Sequence, residues 1–312
     1  MTGSSKGRPY LYLTVSAVDS GDDERLQKAM VEMDGHDPLT SVIPQPMQGS
    51  HIVEGETESQ LDAICDRLRD EYKLSIKVGA PTVVLLETIR EIGEAEGRYI
   101  RRTGGSANYG HCKLRIEPNV TGEGYSFISS VPGGVLPNEY VSSIDRGVQR
   151  AMQSGILRGF PLVDLKVNLI DGSYHAVDSN PEAFEIAGSI AFEHAARKAS
   201  PVLLEPVMLV EIDVPDAFTA IVEPDIFQHR GRIDRMVSEN GRSEIKAIVP
   251  LAELLASGFS SLAEFPTEFA GYEAVSDDGA SDENGLGVTA NKPNYPPFGR
   301  RSEMARPEPD GE

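Results

Sequence analysis

The sequence has few of the features of secreted proteins, membrane proteins or proteins with cysteine-rich metal sites. Only two cysteines occur in 312 residues, Cys65 and Cys112, and they fall in different predicted domains. This usage suits a reducing cytosol and argues against a disulfide framework or a cysteine-rich metal site. No apolar run approaches the about 20 residues that span a bilayer, and residues 1–6 lack the apolar core of a signal peptide. We therefore expect a cytoplasmic protein with no membrane partner.

The motifs of common enzyme classes are also missing. The sequence contains no G-x-x-x-x-G-K-[S/T] loop, no metal-ligand cluster, no nucleophile elbow and no dinucleotide fingerprint. His36 and His51 are isolated from other candidate ligands in the sequence, and an isolated histidine is usually a plain surface residue. We predict no enzymatic activity, no cofactor and no metal, and no small-molecule substrate is evident. GTP hydrolysis is not expected of this chain, because the elements that perform it are absent from the sequence.

Negative charge dominates the composition. The formal net charge of −20 is unfavourable for a nucleic-acid partner, because phosphate binding relies on Lys and Arg. The charge is uneven, however, at −6 in residues 1–79, −2 in 80–199, −8 in 200–275 and −4 in 276–312. Residues 80–199 are nearly neutral and hold the largest share of the cations. Any contact with RNA is therefore expected in that segment.

Residues 1–79 show the periodicity of strand, helix, strand, strand, helix, strand. Strands are predicted at 10–15, 40–43, 51–54 and 74–78. One predicted helix begins with acidic residues at 22–24. Its apolar, core-facing side consists of Leu26, Ala29, Met30 and Met33. The other turns Leu61, Ile64, Cys65 and Leu68 inward. This βαββαβ order is that of a ferredoxin-like sandwich.

Residues 200–275 repeat the βαββαβ order, with strands predicted at 207–214, 231–237, 245–249 and 266–275. Pro224 is expected to end the first helix of this segment early, because proline lacks the N–H that a helix needs. Residues 276–312 have no periodicity and carry five prolines, so a disordered tail is predicted.

The segment 80–199 is organised around a turn at residues 171–178. A predicted strand at 163–170 precedes it, and a helix begins after it at Pro181, with Asn180 suited to the capping position. A second helix is predicted at 138–154, and a strand at 83–89. A glycine-rich turn at 103–111 leads into a strand at 112–116 and lacks the pattern of a nucleotide-binding loop. Polar loops held between rigid elements commonly carry binding residues.

Motifs in and around this turn resemble one known family. They comprise residues 87–90, 104–105, 109–111, 133–135, 137–140, 151–155, 159–161, 171–175, 177–179, 183–184, 186–189 and 195–199. Together they resemble domain IV of bacterial elongation factor G. Residues 201–206, 230–233 and 249–253 resemble its domain V, and the βαββαβ segment before residue 80 resembles its domain III. The resemblance covers roughly residues 9–275. The connection at 257–265 is shorter than in the family, which puts contacts through it in doubt.

The resemblance implies an α+β fold in which two ferredoxin-like βαββαβ sandwiches flank a βαβ domain like that of ribosomal protein S5. Domains are expected at 1–79, 80–199 and 200–275, followed by the tail at 276–312. In the family, the tip of domain IV enters the decoding site of the small ribosomal subunit and stops the tRNA–mRNA duplex from slipping back. His175 matches the histidine at that tip, and residues 104–111 match the neighbouring loop.

We therefore predict an RNA-binding tip that recognises RNA by its shape, through side chains and backbone N–H groups that approach phosphates and 2′-hydroxyls. Its predicted members are Gly104, Gly105, Ser106, Asn108, Tyr109, His111, Asp171, Gly172, Ser173, Tyr174 and His175. Arg98, Arg101 and Arg102 are predicted to support it with positive charge. No catalytic role is assigned to His175, because no carboxylate or nucleophile is arranged beside it for acid–base chemistry.

By the same resemblance, we expect this sequence to start at the equivalent of domain III, without the GTPase and barrel domains that precede it in the family. The favoured prediction is a translation protein that associates with the ribosome and contacts ribosomal RNA at the decoding site. An alternative is a protein-interaction module that pairs with a separate GTPase subunit or acts as a decoy or degenerate paralogue. The strong acidity favours a basic protein surface over bare RNA in that alternative. A third reading is that the loops are only turns of an inherited fold.

Overall fold

The computed structural model describes residues 9–33, 41–45, 50–103, 106–256 and 265–275, with the backbone alone at 41–45, 102–103, 106–107 and 256. These residues form two compact units. Residues 9–85 and 204–275 make up one unit, and we call its two parts the first and the second sandwich. Residues 86–203 make up the other, the central unit. The predicted tail at 276–312 lies outside the described residues, as does most of the connection at 257–265.

The first sandwich has the predicted order of elements. They are β1 (Leu11–Ala17), α1 (Asp23–Met33) after a 3₁₀ turn at Ser20–Asp22, β2 (Ser41–Gln45), β3 (Ser50–Gly55), α2 (Glu58–Asp70), β4 (Ile76–Val78) and the short β5 (Thr82–Val83). The sheet order is β2-β3-β1-β4 with antiparallel neighbours. All eight residues predicted to face inward from the two helices are buried. The ferredoxin-like prediction for this segment is confirmed.

The central unit contains two helices and the strand that ends at the candidate site. Its elements are β6 (Leu86–Ile89), β7 (Gly93–Thr103), β8 (Ser106–Pro118), β9 (Tyr125–Ser129), α3 (Asn138–Ser154), β10 (Leu165–Ser173) and α4 (Pro181–Lys198). Four strands form a sheet in the order β7-β8-β10-β9, in which β9 and β10 are parallel and α3 connects them. The predicted single strand at 83–89 is wrong. It is two strands, because β5 pairs with β1 in the first sandwich, whereas β6 belongs to the central unit.

Helix α4 lies directly on strands β7 and β8 because glycines face it. A Cβ atom at Gly97 would overlap the carbonyl oxygen of Ala187, and one at Gly110 would overlap that of Ala183. The inward side of α4 presents mainly alanines, which allow this close approach. Both helices and the inner side chains of the strands share one buried cluster that includes Phe184. The other side of the sheet carries mainly polar side chains, together with the exposed Ile100 and Ile128.

Glu87 on β6 binds the loop that follows α3. Its carboxylate is fully buried and accepts hydrogen bonds of 2.5–3.1 Å from five consecutive backbone N–H groups, those of residues 156–160. A buried charge is tolerated when hydrogen bonds replace its water shell. The loop after α3 is therefore organised around one acidic side chain.

The second sandwich repeats the ferredoxin-like order. Its elements are β11 (Pro201–Pro215), α5 (Thr219–Gln228) after a 3₁₀ turn at Asp216–Phe218, β12 (Arg232–Glu239), β13 (Arg242–Pro250), α6 (Leu251–Ala256) and β14 (Thr267–Ala274). The antiparallel sheet order is β12-β13-β11-β14. The predicted early break at Pro224 is wrong, because α5 continues to Gln228. Ile226, just after the proline, is fully buried in the core and holds the last turn in place.

Candidate functional site

The end of β10 carries the first residues of the candidate tip. The sequence predicts a turn from residue 171, but β10 extends to Ser173, so this boundary is wrong. A bulge after Leu169 lets Asp171, Gly172 and Ser173 continue the antiparallel pairing with Lys113, Cys112 and His111. The strand also starts two residues later than predicted, because Asp164 has a left-handed φ of 56° that a strand does not accommodate. The turn itself is therefore shorter than expected.

A chain of side-chain contacts runs across three strands beneath the tip. The Ser173 hydroxyl lies 2.8 Å from the Tyr109 hydroxyl and 2.9 Å from Nδ1 of His111. Nε2 of His111 is buried without a hydrogen-bond partner and lies 3.7 Å from a carboxylate oxygen of Glu96. In a neutral His111 ring, one arrangement avoids two facing lone pairs: Tyr109 donates to Ser173, Ser173 donates to Nδ1, and the Nε2–H faces Glu96. We assign His111 this tautomer.

His175 is fixed by a ring contact and by the turn that follows it. The rings of Tyr109 and His175 meet edge to face, with centroids 4.2 Å apart. The His175 N–H donates to the Ser179 hydroxyl at 3.0 Å, and the Ser179 N–H donates to the His175 carbonyl at 3.0 Å. The Tyr109 N–H also donates to the Asp178 carbonyl at 2.7 Å. An exposed histidine is thus presented from a closed turn.

Both helices anchor the base of this turn. The Asn180 side chain caps α4 by accepting from the Ala183 N–H at 2.9 Å, and its amide donates to Asn108 on β8 at 2.8 Å. Tyr140 of α3 donates to the Ser179 carbonyl at 3.2 Å and stacks on Phe184. Burial raises the pKa of Tyr140, so its hydroxyl stays protonated and able to donate. The base of the turn is therefore anchored by contacts with α3, α4 and β8.

The predicted site residues occupy three kinds of place. Asp171, Ser173, Tyr174 and His175 are exposed and available to a ligand. Gly172 is buried, and the side chains of Asn108, Tyr109 and His111 face other residues of the tip, so they support it from within. Gly104 and Gly105 lie outside the described residues, as do the side chains of Ser106 and Arg102.

The supporting cations do not share one face. Arg98 lies opposite His111 in the register of β7 and β8, whereas Arg101 lies opposite Asn108. Since strand side chains alternate, Arg98 and Arg101 project from opposite faces of β7, and both are exposed.

Sequence reasoning missed Asn180, Ser179 and Tyr140 as supports of the tip. Only the capping signal of Asn180 was visible in the sequence, because the other two contacts depend on distant elements.

The described residues show no arrangement suited to a metal ion, since no group of three or more His, Cys, Asp or Glu side chains comes together in them. No helix in this part of the chain is long and apolar enough to cross a membrane. Burial raises the pKa of the Cys112 thiol to about 12, so it remains protonated and packs as an apolar group.

The tip offers a contact surface made of exposed aromatic, hydroxyl and carboxylate groups.

Comparison with known families follows the same three segments. The family model for Elongation Factor G, domain III, matches residues 7–80, that for Elongation factor G, domain IV, matches 81–200, and that for the Elongation factor G C-terminus matches 202–282. A crystal structure of a protein from Thermus thermophilus is similar at 33% sequence identity and a TM-score of 0.64. The match covers 86% of this chain and 41% of that protein's chain, so this chain spans less than half of its length.

The α+β architecture and the matched domains are those of a translation-factor-like protein. Three consecutive family models account for nearly all of the described residues. The chain belongs to the elongation factor G family through its domain III, its domain IV and its C-terminal domain. The resemblance predicted from the sequence is confirmed, and so is the predicted α+β fold.

Proposed function

We propose that this translation-factor-like protein associates with the ribosome through its tip and contacts ribosomal RNA at the decoding site. One observation carries the proposal. In the segment matched to domain IV of elongation factor G, His175 stands exposed at the end of long strands and is held by the Tyr109 ring and by reciprocal bonds with Ser179. A side chain fixed before binding loses little conformational freedom on contact, which favours recognition of RNA by shape.

The proposed mode of action is binding without chemistry. The 312 residues carry no phosphate-binding loop of the GTPase type, so any GTP-driven step would be supplied by another polypeptide segment. A separate GTPase subunit remains a prediction, as do the domain limits at 79/80 and 199/200. A ribosomal partner places the chain in the cytoplasm.

Cosedimentation of the purified chain with 70S ribosomes tests the proposal, with His175→Ala compared against His194→Ala. His194 is an exposed histidine on α4 and serves as the matched control. We expect saturable binding at low salt and a Kd about tenfold higher for His175→Ala, which corresponds to about 1.4 kcal/mol. Binding by the control should equal that of the wild type. Absence of binding at low salt, or equal losses in both variants, contradicts the proposal.

Ser173→Ala tests whether the network under the tip matters. It removes the hydroxyl that joins Tyr109 to His111 while leaving the His175 side chain intact. We expect weaker ribosome binding than the wild type, together with a changed chemical shift of the His175 ring protons, because the Tyr109 ring is released. Unchanged shifts would show that the ring is held by the turn alone.

A further inference from the structure

The exposed side of α5 in the second sandwich is apolar, which is unusual for a surface helix. Five of its residues are exposed, and four of them are apolar: Ala220, Ile221, Pro224 and Phe227, with Gln228 the fifth. Their spacing of i, i+1, i+4 and i+7 places them on one side of the helix. Ile221 is 67% exposed and Phe227 is 60% exposed. We call this set the α5 face.

The inner side of α5 already packs against the core of the second sandwich. Ile226 is fully buried, and Val222 packs against the core of the second sandwich. The α5 face is therefore not the side that stabilises the fold. A helix that is apolar on both sides is normally covered on both sides. By contrast, the exposed residues of α3 are all polar, those of α2 are polar except Ala63, and α1 exposes one apolar residue, Val31.

The net charge of the second sandwich bears on what could cover the α5 face. Residues 200–275 carry a formal charge of −8. Four of the five cations there are held in ion pairs within the sandwich, Arg230 with Glu205 and Glu253, Arg232 with Glu273, Arg242 with Asp213 and Lys246 with Glu211. Hydrogen bonds from Arg230 to Glu205 raise the pKa of Arg230, which keeps its guanidinium charged. An incoming ligand thus meets a negative module in which most of the positive charges are already paired.

We propose that the α5 face docks a protein segment that presents an apolar stripe flanked by Lys and Arg. Apolar contact would bury Ile221 and Phe227, and the basic flanks would complement the acidic module. A nucleic acid would bring further negative charge to this surface. A second copy of this chain would also bring a like charge, since the whole chain carries −20. The proposal concerns a surface outside the tip and does not depend on ribosome binding.

The test uses the full chain and a synthetic leucine–lysine helix with its leucines at i, i+3, i+4 and i+7. A scrambled peptide of the same composition controls for charge alone. The double variant Ile221→Gln with Phe227→Gln removes apolar area without changing the charge. Val31→Gln is the matched control, because Val31 is an exposed apolar residue of α1 at 59% exposure. Fluorescence anisotropy gives the Kd of each pair, and circular dichroism checks that the variants are folded.

We expect the patterned peptide to bind the wild type and the Val31→Gln control alike, and the Kd to rise about tenfold or more in the double variant. Equal binding of the scrambled peptide, equal loss in the control or no binding at all would overturn the proposal. Two other outcomes would also overturn it. Concentration-dependent dimerisation abolished by Ile221→Gln would assign the face to a second copy. Binding of an RNA hairpin abolished by the same change would assign it to RNA.

Discussion

Glu87 illustrates how single polar residues determine this structure. A carboxylate at full burial would be strongly destabilising alone, yet here it accepts from five backbone N–H groups. These bonds hold residues 156–160 around one side chain. Residue-scale effects on stability should therefore be largest where a buried polar atom has many partners, as at Glu87, or none, as at Nδ1 of His51.

Glu87→Gln should destabilise the central unit. The amide NH₂ cannot accept hydrogen bonds, so some of the five N–H groups lose their partner, at a cost of about 2–3 kcal/mol. Urea unfolding followed by tyrosine fluorescence measures the loss. Glu123→Gln, an exposed acid in a loop of the same unit, is the control and should leave the unfolding curve unchanged. Coinciding curves for both variants would show that the loop is held by other contacts.

The prediction that His51 is a plain surface residue is wrong, because His51 lies buried on β3. This burial should make the first sandwich sensitive to acid. Burial lowers the pKa of His51, more strongly than the charge of Asp23 raises it, and its Nδ1 has no hydrogen-bond partner. The unfolded chain then binds a proton at a higher pH than the folded chain does. The contribution of the neutral His51 ring to the free energy of unfolding is complete above the unfolded pKa of about 6.5. It is lost as pH falls below that value, by at most about 1.4 kcal/mol per pH unit.

Thermal unfolding of the wild type and His51→Met between pH 7.5 and pH 5 tests this sensitivity. Methionine is of similar size and does not titrate, so the variant should lose less stability on acidification. Parallel pH dependence in the two proteins would assign the acid response to other groups.

Among the elements, α4 and the two strands beneath it decide where the tip stands. Gly97 and Gly110 allow the helix backbone to rest on β7 and β8, and the Gly110 contact lies next to Tyr109. The N-terminus of α4 is held at the same level by Asn180. The position of His175 thus depends on how closely a helix and a strand approach each other.

Gly97→Ala should force α4 away from the sheet. The added methyl group overlaps the backbone of Ala187, which cannot rotate aside, so we expect a loss of about 1–3 kcal/mol in stability. Gly133→Ala is a suitable control, since a Cβ there meets nothing within 4 Å. Differential scanning calorimetry compares the two. An unchanged melting temperature for Gly97→Ala would show that the interface has room to adjust.

Element types were largely readable from the sequence, because apolar periodicity records which side of a helix is buried. All predicted inward residues of α1 and α2 are buried, and α3 begins and ends at the predicted residues. The errors arose where pairing partners overrode local pattern. Strand β10 extends beyond its predicted end because β8 pairs with it there. Helix α5 continues past Pro224 because Ile226 is buried in the core.

For the whole molecule, the charge distribution sets how salt should act on ribosome binding. The net charge is −20, and the cations predicted beside the tip are Arg98, Arg101 and Arg102. If the proposed contact is made there, few phosphates are neutralised. The slope of log K against log salt should then be shallow, about −2 to −3.

Cosedimentation with 70S ribosomes over a salt series measures this slope. Arg98→Gln should reduce it by about one unit, whereas Arg197→Gln, an exposed arginine near the end of α4, should not. A slope much steeper than about −3 would point to contacts well beyond the tip.

The sequence by itself determined the order of elements, the inward faces of the helices and the family, because these follow from local periodicity and from motifs that are contiguous in the chain. Only the tertiary structure decided which tip residues are exposed. Ser173 joins Tyr109 to His111, and Asn180 reaches Asn108, across 62 to 72 residues of chain. Such contacts depend on strand register and helix approach, which no local pattern encodes. The apolar α5 face emerged in the same way, since exposure is a property of the folded chain.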